Sequence, residues 1–320
     1  MFTYDVLCVG SAVVDTFFTV DQRVSSVKMG DKVLVSSVEK HSGGSATNAG
    51  AALKKLGVKT RILTKMGEDH DAEFINKELQ KYSLQNICLH NSKRNTDTAV
   101  IISSTKERDR VIYVHKGASE DLTIYDFVKK QLKARWIYMG SLMETSLKTG
   151  KKLVKYAHGK KTKILFNPSL YLAKKGVPYL RPILKATEIL VLNKKEAQTL
   201  VNGTTNSSDT LVKKLHKLGP QTVVITNGAK KMVAYHEGQV YSLLPPDVKV
   251  VHTAGAGDAF TAGLLAGLIK KYSFEDALQL GVVNSLSVVQ HIGTKHKLLT
   301  EKEAQQKIQR YKIKVHKHVR

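Results

Sequence analysis

The segment Val250-Val-His-Thr-Ala-Gly-Ala-Gly-Asp-Ala-Phe260 runs from a strand-like stretch into a turn of small residues, and a helical pattern opens at about Asp258. Small residues let the backbone amides of Gly255, Ala256 and Gly257 converge, and a helix N-terminus adds partial positive charge behind them. Such a turn holds an anion. An aspartate in the first helical turn would then stand beside a bound phosphoryl group, where it can orient and deprotonate an attacking hydroxyl. The same residues also read as an ordinary glycine turn with Asp258 favouring the helix dipole. Two other phosphate-binding patterns are missing from the sequence: there is no Gly-x-x-x-x-Gly-Lys-[Ser/Thr], and Gly255-Ala-Gly-Asp-Ala-Phe260 lacks the third glycine of a dinucleotide fingerprint.

A second glycine pair stands early, in His41-Ser-Gly-Gly-Ser-Ala-Thr-Asn48. Gly43 and Gly44 allow close backbone approach to a ligand, and Asn48 offers a donor and acceptors. A turn followed by a helix cap explains the same residues.

Both turns need elements to hold them. Tyr4 to Val9, Arg61 to Lys65, Trp136 to Met139, Lys163 to Phe166, Ile189 to Leu192 and Thr222 to Thr226 read as buried strands. Amphipathic segments alternate with them; one starts at Ser45, places Ala46, Ala49, Leu53 and Leu56 at helical spacing, and stops at Gly57. This order predicts an α/β fold, a doubly wound, mostly parallel sheet flanked by helices. Two regions break the rhythm, approximately 13–38 and 98–115, with alternating strands such as Asp31-Lys-Val-Leu-Val-Ser and no helix between them. No Pro/Ser-rich linker sets them apart, so the expectation is a single domain over 1–320 with a small antiparallel β lid.

Together the two glycine motifs, in this order and at this separation, resemble those of the ribokinase-like (PfkB) carbohydrate kinases. Their signatures are a Gly-Gly stretch ending in Asn and, later, Asp-Thr-x-Gly-Ala-Gly-Asp-x-Phe. Gly10-Ser-Ala-Val-Val-Asp15 stands where that family has its first strand and a sugar-binding aspartate. Ile164-Leu-Phe-Asn-Pro-Ser169 is similar to the family's Asn-Pro strand end, Leu192-Asn-Lys-Lys-Glu196 to its Asn-x-x-Glu motif, and Ile225-Thr-Asn-Gly228 to a strand end that reaches the nucleotide. The resemblance covers nearly the whole chain. It implies ATP- and Mg2+-dependent phosphorylation of an alcohol, with Asp258 as base and the amides of Gly255, Ala256 and Gly257 stabilising charge. It also implies that Asp15, Gly43, Gly44 and Asn48 bind the acceptor, that Asn193 and Glu196 hold magnesium-bound water, and that Thr226 and Gly228 contact the nucleotide. Asn284, on the penultimate helix, is a looser adenine-side candidate, with a plain helix-surface position as the alternative. Strands of such lids often pair between subunits, which implies a homodimer. One residue departs from the pattern: His252 stands where the family usually has an aspartate that helps bind an activating monovalent cation. Histidine suits a hard alkali ion poorly.

Bulk properties set the outer limits. The 320 residues are 42% hydrophobic and 24% charged, which excludes disordered and collagen-like chains. The longest apolar stretch, Ala259 to Ile269, is well short of the ~20 residues a membrane span needs. No basic and apolar leader opens the chain, and two cysteines, Cys8 and Cys88, suit a reducing compartment, so the expected location is cytoplasmic. The net charge of +24 raises a rival class, a non-catalytic nucleic-acid-binding protein. The lysines are spread along the chain without a nucleic-acid motif, so a solvated surface attracting small anions is the expectation, with no specific nucleic-acid partner and no membrane. A catalytically dead regulator on a kinase scaffold is a third reading, opposed by the intact Asp258. A nicotinamide dehydrogenase is disfavoured by the missing fingerprint. For the acceptor, an unphosphorylated pentose or hexose ranks first, a nucleoside second, and a phosphosugar held by Arg108, Arg110 and Lys116 third.

Overall fold

The computed structural model describes residues 2–106, 110–203, 205 and 207–318; Arg108 lies outside them. Along the chain the strands are β1 (Tyr4–Val9), β2 (Val13–Val20), β3 (Val35–Gly43), β4 (Thr60–Leu63), β5 (Asp97–Ser104), β6 (Arg110–His115), β7 (Ala134–Met139), β8 (Lys163–Phe166), β9 (Ile189–Asn193), β10 (Thr222–Thr226), β11 (Met232–His236), β12 (Gln239–Leu243) and β13 (Val315–His318). The helices are α1 (Ser45–Lys55), α2 (His70–Lys81), α3 (Glu144–Gly159), α4 (Leu170–Ala173), α5 (Gly176–Leu184), α6 (Lys194–Leu200), α7 (Ser208–His216), α8 (Ala256–Ile269), α9 (Phe274–Val289) and α10 (Glu301–Tyr311).

In the main sheet β4, β1, β7, β8, β9 and β10 lie side by side and parallel, and β11, β12 and β13 extend it antiparallel. The parallel strands carry nearly unbroken Val, Ile and Leu because both of their faces are covered. One face packs against α1, α2, α8, α9 and α10, the other against α3 to α7. The last described strand, β13, pairs with β12 at the sheet edge. Among the described residues no helix is long and apolar enough to cross a membrane.

A second sheet, ordered β3-β2-β5-β6, forms the lid. Its outer pairs are antiparallel and β2 runs parallel to β5. Val13, Phe17, Ala99 and Ile101 make a small apolar cluster on its inner face. The buried Asp97 clips the second half of the lid to the body, accepting from the amides of Gly117 and Ser119, the Ser119 hydroxyl and Lys116 Nζ.

The lid's first half differs from the sequence expectation. Asp31 to Leu34 are not in a strand, because Asp31 closes a turn by accepting from the Lys28 amide at 2.8 Å. β3 begins only where Val35 meets Val20 and runs on to Gly43, opposite Val13. The ladder therefore ends at the glycine pair itself.

Candidate active site

A cavity of about 400 Å³ lies at the carboxyl ends of the parallel strands, beneath the lid. Ser11, Ser141, Asn167, Asn193 and Thr226, just at or past the ends of β1, β7, β8, β9 and β10, line its floor. This is where parallel α/β sheets bind ligands, since the strand ends leave a crevice with no helix over it.

Asp258 enters this cavity from the first turn of α8. Its Oδ2 accepts from Asn48 Nδ2 at 2.9 Å and its Oδ1 from the Tyr138 hydroxyl at 2.8 Å. Tyr138 is fully buried on β7, and its hydroxyl also faces Asn167 Oδ1 at 3.1 Å. Burial pushes the Asp258 carboxyl above the usual carboxylate range, while the Asn48 and Tyr138 hydrogen bonds and the nearby Lys295 oppose that push.

The turn before Asp258 needs glycine at Gly255 for two reasons. Its φ is +77°, and a Cβ there would lie 2.6 Å from the Thr294 carbonyl oxygen. The amides of Gly255 and Gly257 donate to nothing among the described residues. A Cβ at Gly257 would meet no atom within 4 Å, and this residue borders open cavity space. Ala256 departs from expectation: its amide turns back toward the Thr253 carbonyl at 3.4 Å, so only its two neighbours keep free amides.

Asp15 lies on β2 and lines the same cavity from the lid side. Its carboxylate has no hydrogen-bond partner among the described residues. Burial raises its pKa to about 6, although Lys295, His41 and Lys116 pull it down.

The described contacts of the glycine pair and Asn48 are made within the protein itself. A Cβ on Gly43 would sit 2.1 Å from Asp15 Oδ2, and Gly44, at φ +100°, would collide with the Ser11 carbonyl. The close approach these glycines permit is of chain to chain, and neither lines the cavity. Asn48 is buried with both ends of its amide engaged, donating to Asp258 and accepting from the Thr294 hydroxyl at 2.8 Å. It positions the aspartate.

A second cavity, of about 370 Å³, adjoins the first; Asn193, Thr226 and Gly257 line both. Gly228 opens onto it at φ +58°, and Val250, Phe260 and Val289 give it apolar walls of the kind that suit a planar base. Asn284 is not among its lining residues. That side chain is wholly buried, donating to the Ala259 carbonyl at 2.8 Å and accepting from the Leu299 amide at 3.4 Å, which rules out the helix-surface position and keeps it behind the cavity wall. Its neighbour Ser285 is the residue that reaches the cavity.

Asn193 and Glu196 form a capping box on α6: Asn193 Oδ1 accepts from the Glu196 amide at 2.9 Å, and Glu196 Oε2 from the Asn193 amide at 2.8 Å. Both also line the acceptor cavity. Burial, with Asp258 adding repulsion, raises the Glu196 pKa to about 7. A carboxylate held so unfavourably on a cavity wall is of a chemistry that fits a divalent cation met through water. Among the described residues no group of three His, Cys, Asp or Glu side chains is poised to hold a metal, so such an ion would depend on phosphate and water oxygens.

His252 also borders the cavity, buried edge-on against Phe17 at 4.7 Å. Its Nδ1 accepts from the Ala254 amide at 3.1 Å, and its Nε2 has no partner among the described residues. Burial, helped by Arg110 and His41, lowers its pKa to about 4, so it is neutral.

Several residues of the site carry no local sequence signal. Tyr138 reads as one more apolar strand residue, and Ser11 and Ser45, which exchange amide-to-hydroxyl bonds at 3.3 Å, read as turn residues. Thr294 and Lys295 follow an apolar helix with only Gly293 to mark the turn. All of them reach the site by tertiary contact.

Comparison with known proteins agrees with this geometry. The model of the pfkB family carbohydrate kinases matches residues 4–301. The nucleoside kinase of Methanocaldococcus jannaschii is 24% identical over 311 residues, covering 96% of this chain and 98% of that protein. The ribokinase of Bacillus subtilis is 27% identical, covering 86% of this chain and 89% of its own. Among solved structures, Arabidopsis thaliana ribokinase complexed with ribose and ATP superposes with a TM-score of 0.80 at 20% identity, over 95% of this chain and 98% of that one. With the aspartate at the helix start, the open amides before it, and a family match over nearly its whole length, this chain belongs to the pfkB family of carbohydrate kinases.

Proposed function

We propose that Asp258 is the base in transfer of the γ-phosphoryl group of ATP to a hydroxymethyl group of an unphosphorylated pentose or hexose. The observation that carries this reading is that Asp258 faces the acceptor cavity one residue from Gly257, which lines both cavities. A hydroxyl held near Asp15 would lie within reach of Asp258. Asp258 takes the hydroxyl proton as the oxygen attacks the γ-phosphorus, the bond to the β–γ bridging oxygen breaks, and ADP leaves. The free amides of Gly255 and Gly257 then meet the charge on the transferred group. Water held by Glu196 and Asn193 would surround a magnesium ion, whose chemistry is to neutralise phosphate charge.

The acceptor ranking rests on how the lid's cations are used. Lys116 is paired with the buried Asp97 at 3.1 Å, and Arg110 donates to Thr253 Oγ1 at 2.7 Å. Asp15 is the unpaired polar group, and a carboxylate of this kind selects neutral diols over phosphosugars. Tyr171, half-exposed on the cavity wall, offers a ring face to a base and supports a nucleoside as the second reading. A screen of pentoses, hexoses, nucleosides and their phosphates, read by ADP release, tests the ranking. Turnover confined to phosphosugars overturns it.

The outer strand of the lid supports a homodimer. Val111, Ile112, Tyr113 and Val114 on β6 are all exposed, an apolar edge suited to pairing between copies. Sedimentation velocity of Tyr113→Lys against the unmodified protein tests it. The two unpaired cysteines support a reducing, cytoplasmic location. Binding of nucleic acid by the basic surface should be weak and lost near physiological salt.

A further inference from the structure

Lys295 is an unusual residue to find where it is. It is 7% exposed, it lies in the turn between α9 and α10, and its Nζ donates to the Ser42 carbonyl and, at 3.1 Å, to Ser42 Oγ. It forms no direct ion pair with a carboxylate among the described residues. A neutral side chain could hold a carbonyl and a hydroxyl equally well, and burying an ammonium is costly unless opposite charge is near. The carboxylates whose charge favours its protonated form are Asp15 on β2, Asp258 on α8 and Glu78 on α2. Two of these three line the acceptor cavity.

The turn that carries Lys295 touches both halves of the site. Thr294, its neighbour, donates its hydroxyl toward the Ser42 carbonyl at 2.9 Å and Asn48 Oδ1 at 2.8 Å, and Asn48 in turn holds Asp258. Ser42 precedes Gly43, whose backbone is pressed against the Asp15 carboxylate. Ammonium, acceptor carboxylate and base carboxylate are thus joined through two short chains of contacts.

We propose that Lys295 is a positioning residue of the kinase reaction, a fixed buried cation fastened by Ser42 and shared by Asp15 and Asp258. This rests on the roles given above to those two aspartates. Lys295 keeps two like charges tolerable at one acceptor hydroxyl, so that Asp15 can accept from the diol while Asp258 remains free to take its proton. Burial lowers the lysine's own pKa to about 8, with Asp15, Asp258 and Glu78 holding it up, so it is mostly charged at neutral pH. Asp15 is also faced by His41 and Lys116, and Asp258 adds repulsion to Glu196, Tyr138 and Cys8, so Lys295 is not the sole influence on either carboxylate.

The test compares Lys295→Gln, which keeps a donor for Ser42 but removes the charge, with Lys295→Met and Lys295→Arg. kcat and kcat/KM for the acceptor are measured between pH 5 and 9 at saturating ATP, with circular dichroism to confirm folding. Loss of a nearby opposite charge moves a carboxylate by about one pH unit or more. The Gln and Met variants should therefore show the acid limb of kcat/KM shifted upward by roughly that amount, regaining much of their activity at high pH, while Arg keeps the original limb. A folded Gln variant whose limb does not move, or which loses activity equally at every pH, reduces Lys295 to a strut and overturns the proposal. If Lys295→Met does not fold, the Gln and Arg pair still decides. Asp258→Asn, assayed alongside, separates the two failures: its inactivity with an unmoved limb in the Gln variant sinks the lysine proposal alone, whereas its full activity sinks the reading beneath it.

Discussion

Asn48 and Asp258 are 210 residues apart in the chain, yet the amide nitrogen of one lies 2.9 Å from a carboxylate oxygen of the other. This bond ties α1, which starts at the early glycine pair, to α8, which starts at the late one. Hydrogen bonds to a charged group are worth about 1.5–3 kcal/mol, so Asn48→Ala should lower kcat roughly 10- to 100-fold with ATP affinity little changed. Steady-state kinetics with separate ATP-binding calorimetry checks this. An unchanged kcat would show that Tyr138 alone suffices to aim Asp258.

Asp258→Asn keeps the shape of the side chain and removes the base. Turnover should fall by about 10²- to 10⁴-fold, the usual contribution of a general base, while ATP still binds. Wild-type turnover in this variant would end the assignment.

Asp15→Ala should raise the acceptor KM and lower kcat/KM by about 1.5–3 kcal/mol, since it removes a charged hydrogen-bonding partner. Arg110→Ala should change either constant little. The reverse pattern, a dead Arg110 variant and a tolerant Asp15 variant, would mean that the acceptor brings its own phosphate.

The raised pKa of Asp15 has two measurable consequences. Because burial holds it at about 6, kcat/KM for the acceptor should fall as pH drops through that value. The effect on stability has the opposite sense. A folded-state pKa above the unfolded one means the native protein gains from protonated Asp15 at low pH and loses that gain as pH rises through about 6. Asp15→Asn should therefore raise Tm at pH 7.5, and the gain should shrink as pH falls from about 6 toward the ordinary carboxylate value of 3.8. Thermal melts at several pH values give the sign directly.

His252 bears on cation dependence. A neutral imidazole with Nδ1 occupied by the Ala254 amide offers nothing to an alkali ion, so replacing sodium by potassium should alter the rate little. His252→Asp should introduce a response. Strong potassium activation of the unmodified protein would show that other oxygen atoms at this turn are enough.

By itself, the sequence determined the six parallel strands of the main sheet, though not the antiparallel β11, β12 and β13, and the helix start that presents Asp258. Those features are local: runs such as Thr222 to Thr226 are apolar because both sheet faces are covered, and the turn before Asp258 forms because Gly255 takes a positive φ that a bulkier residue rarely adopts. Asp15, Thr226 and Gly228, which the motif resemblance singles out, lie on the walls of the two cavities. Tertiary structure decided what these residues do to one another. Gly43 and Gly44 looked like ligand contacts because close approach is legible in a sequence while the approaching partner is not; here the partners are Asp15 and Ser11. Asn284 could not be told from a nucleotide contact or a surface residue, since its two hydrogen bonds run to elements 15 and 25 residues away. Tyr138, Thr294 and Lys295 left no trace in spacing or type. Each acts through a side chain that crosses from one element to another, and only the packing of α1, α8 and the lid against the sheet brings those partners into range.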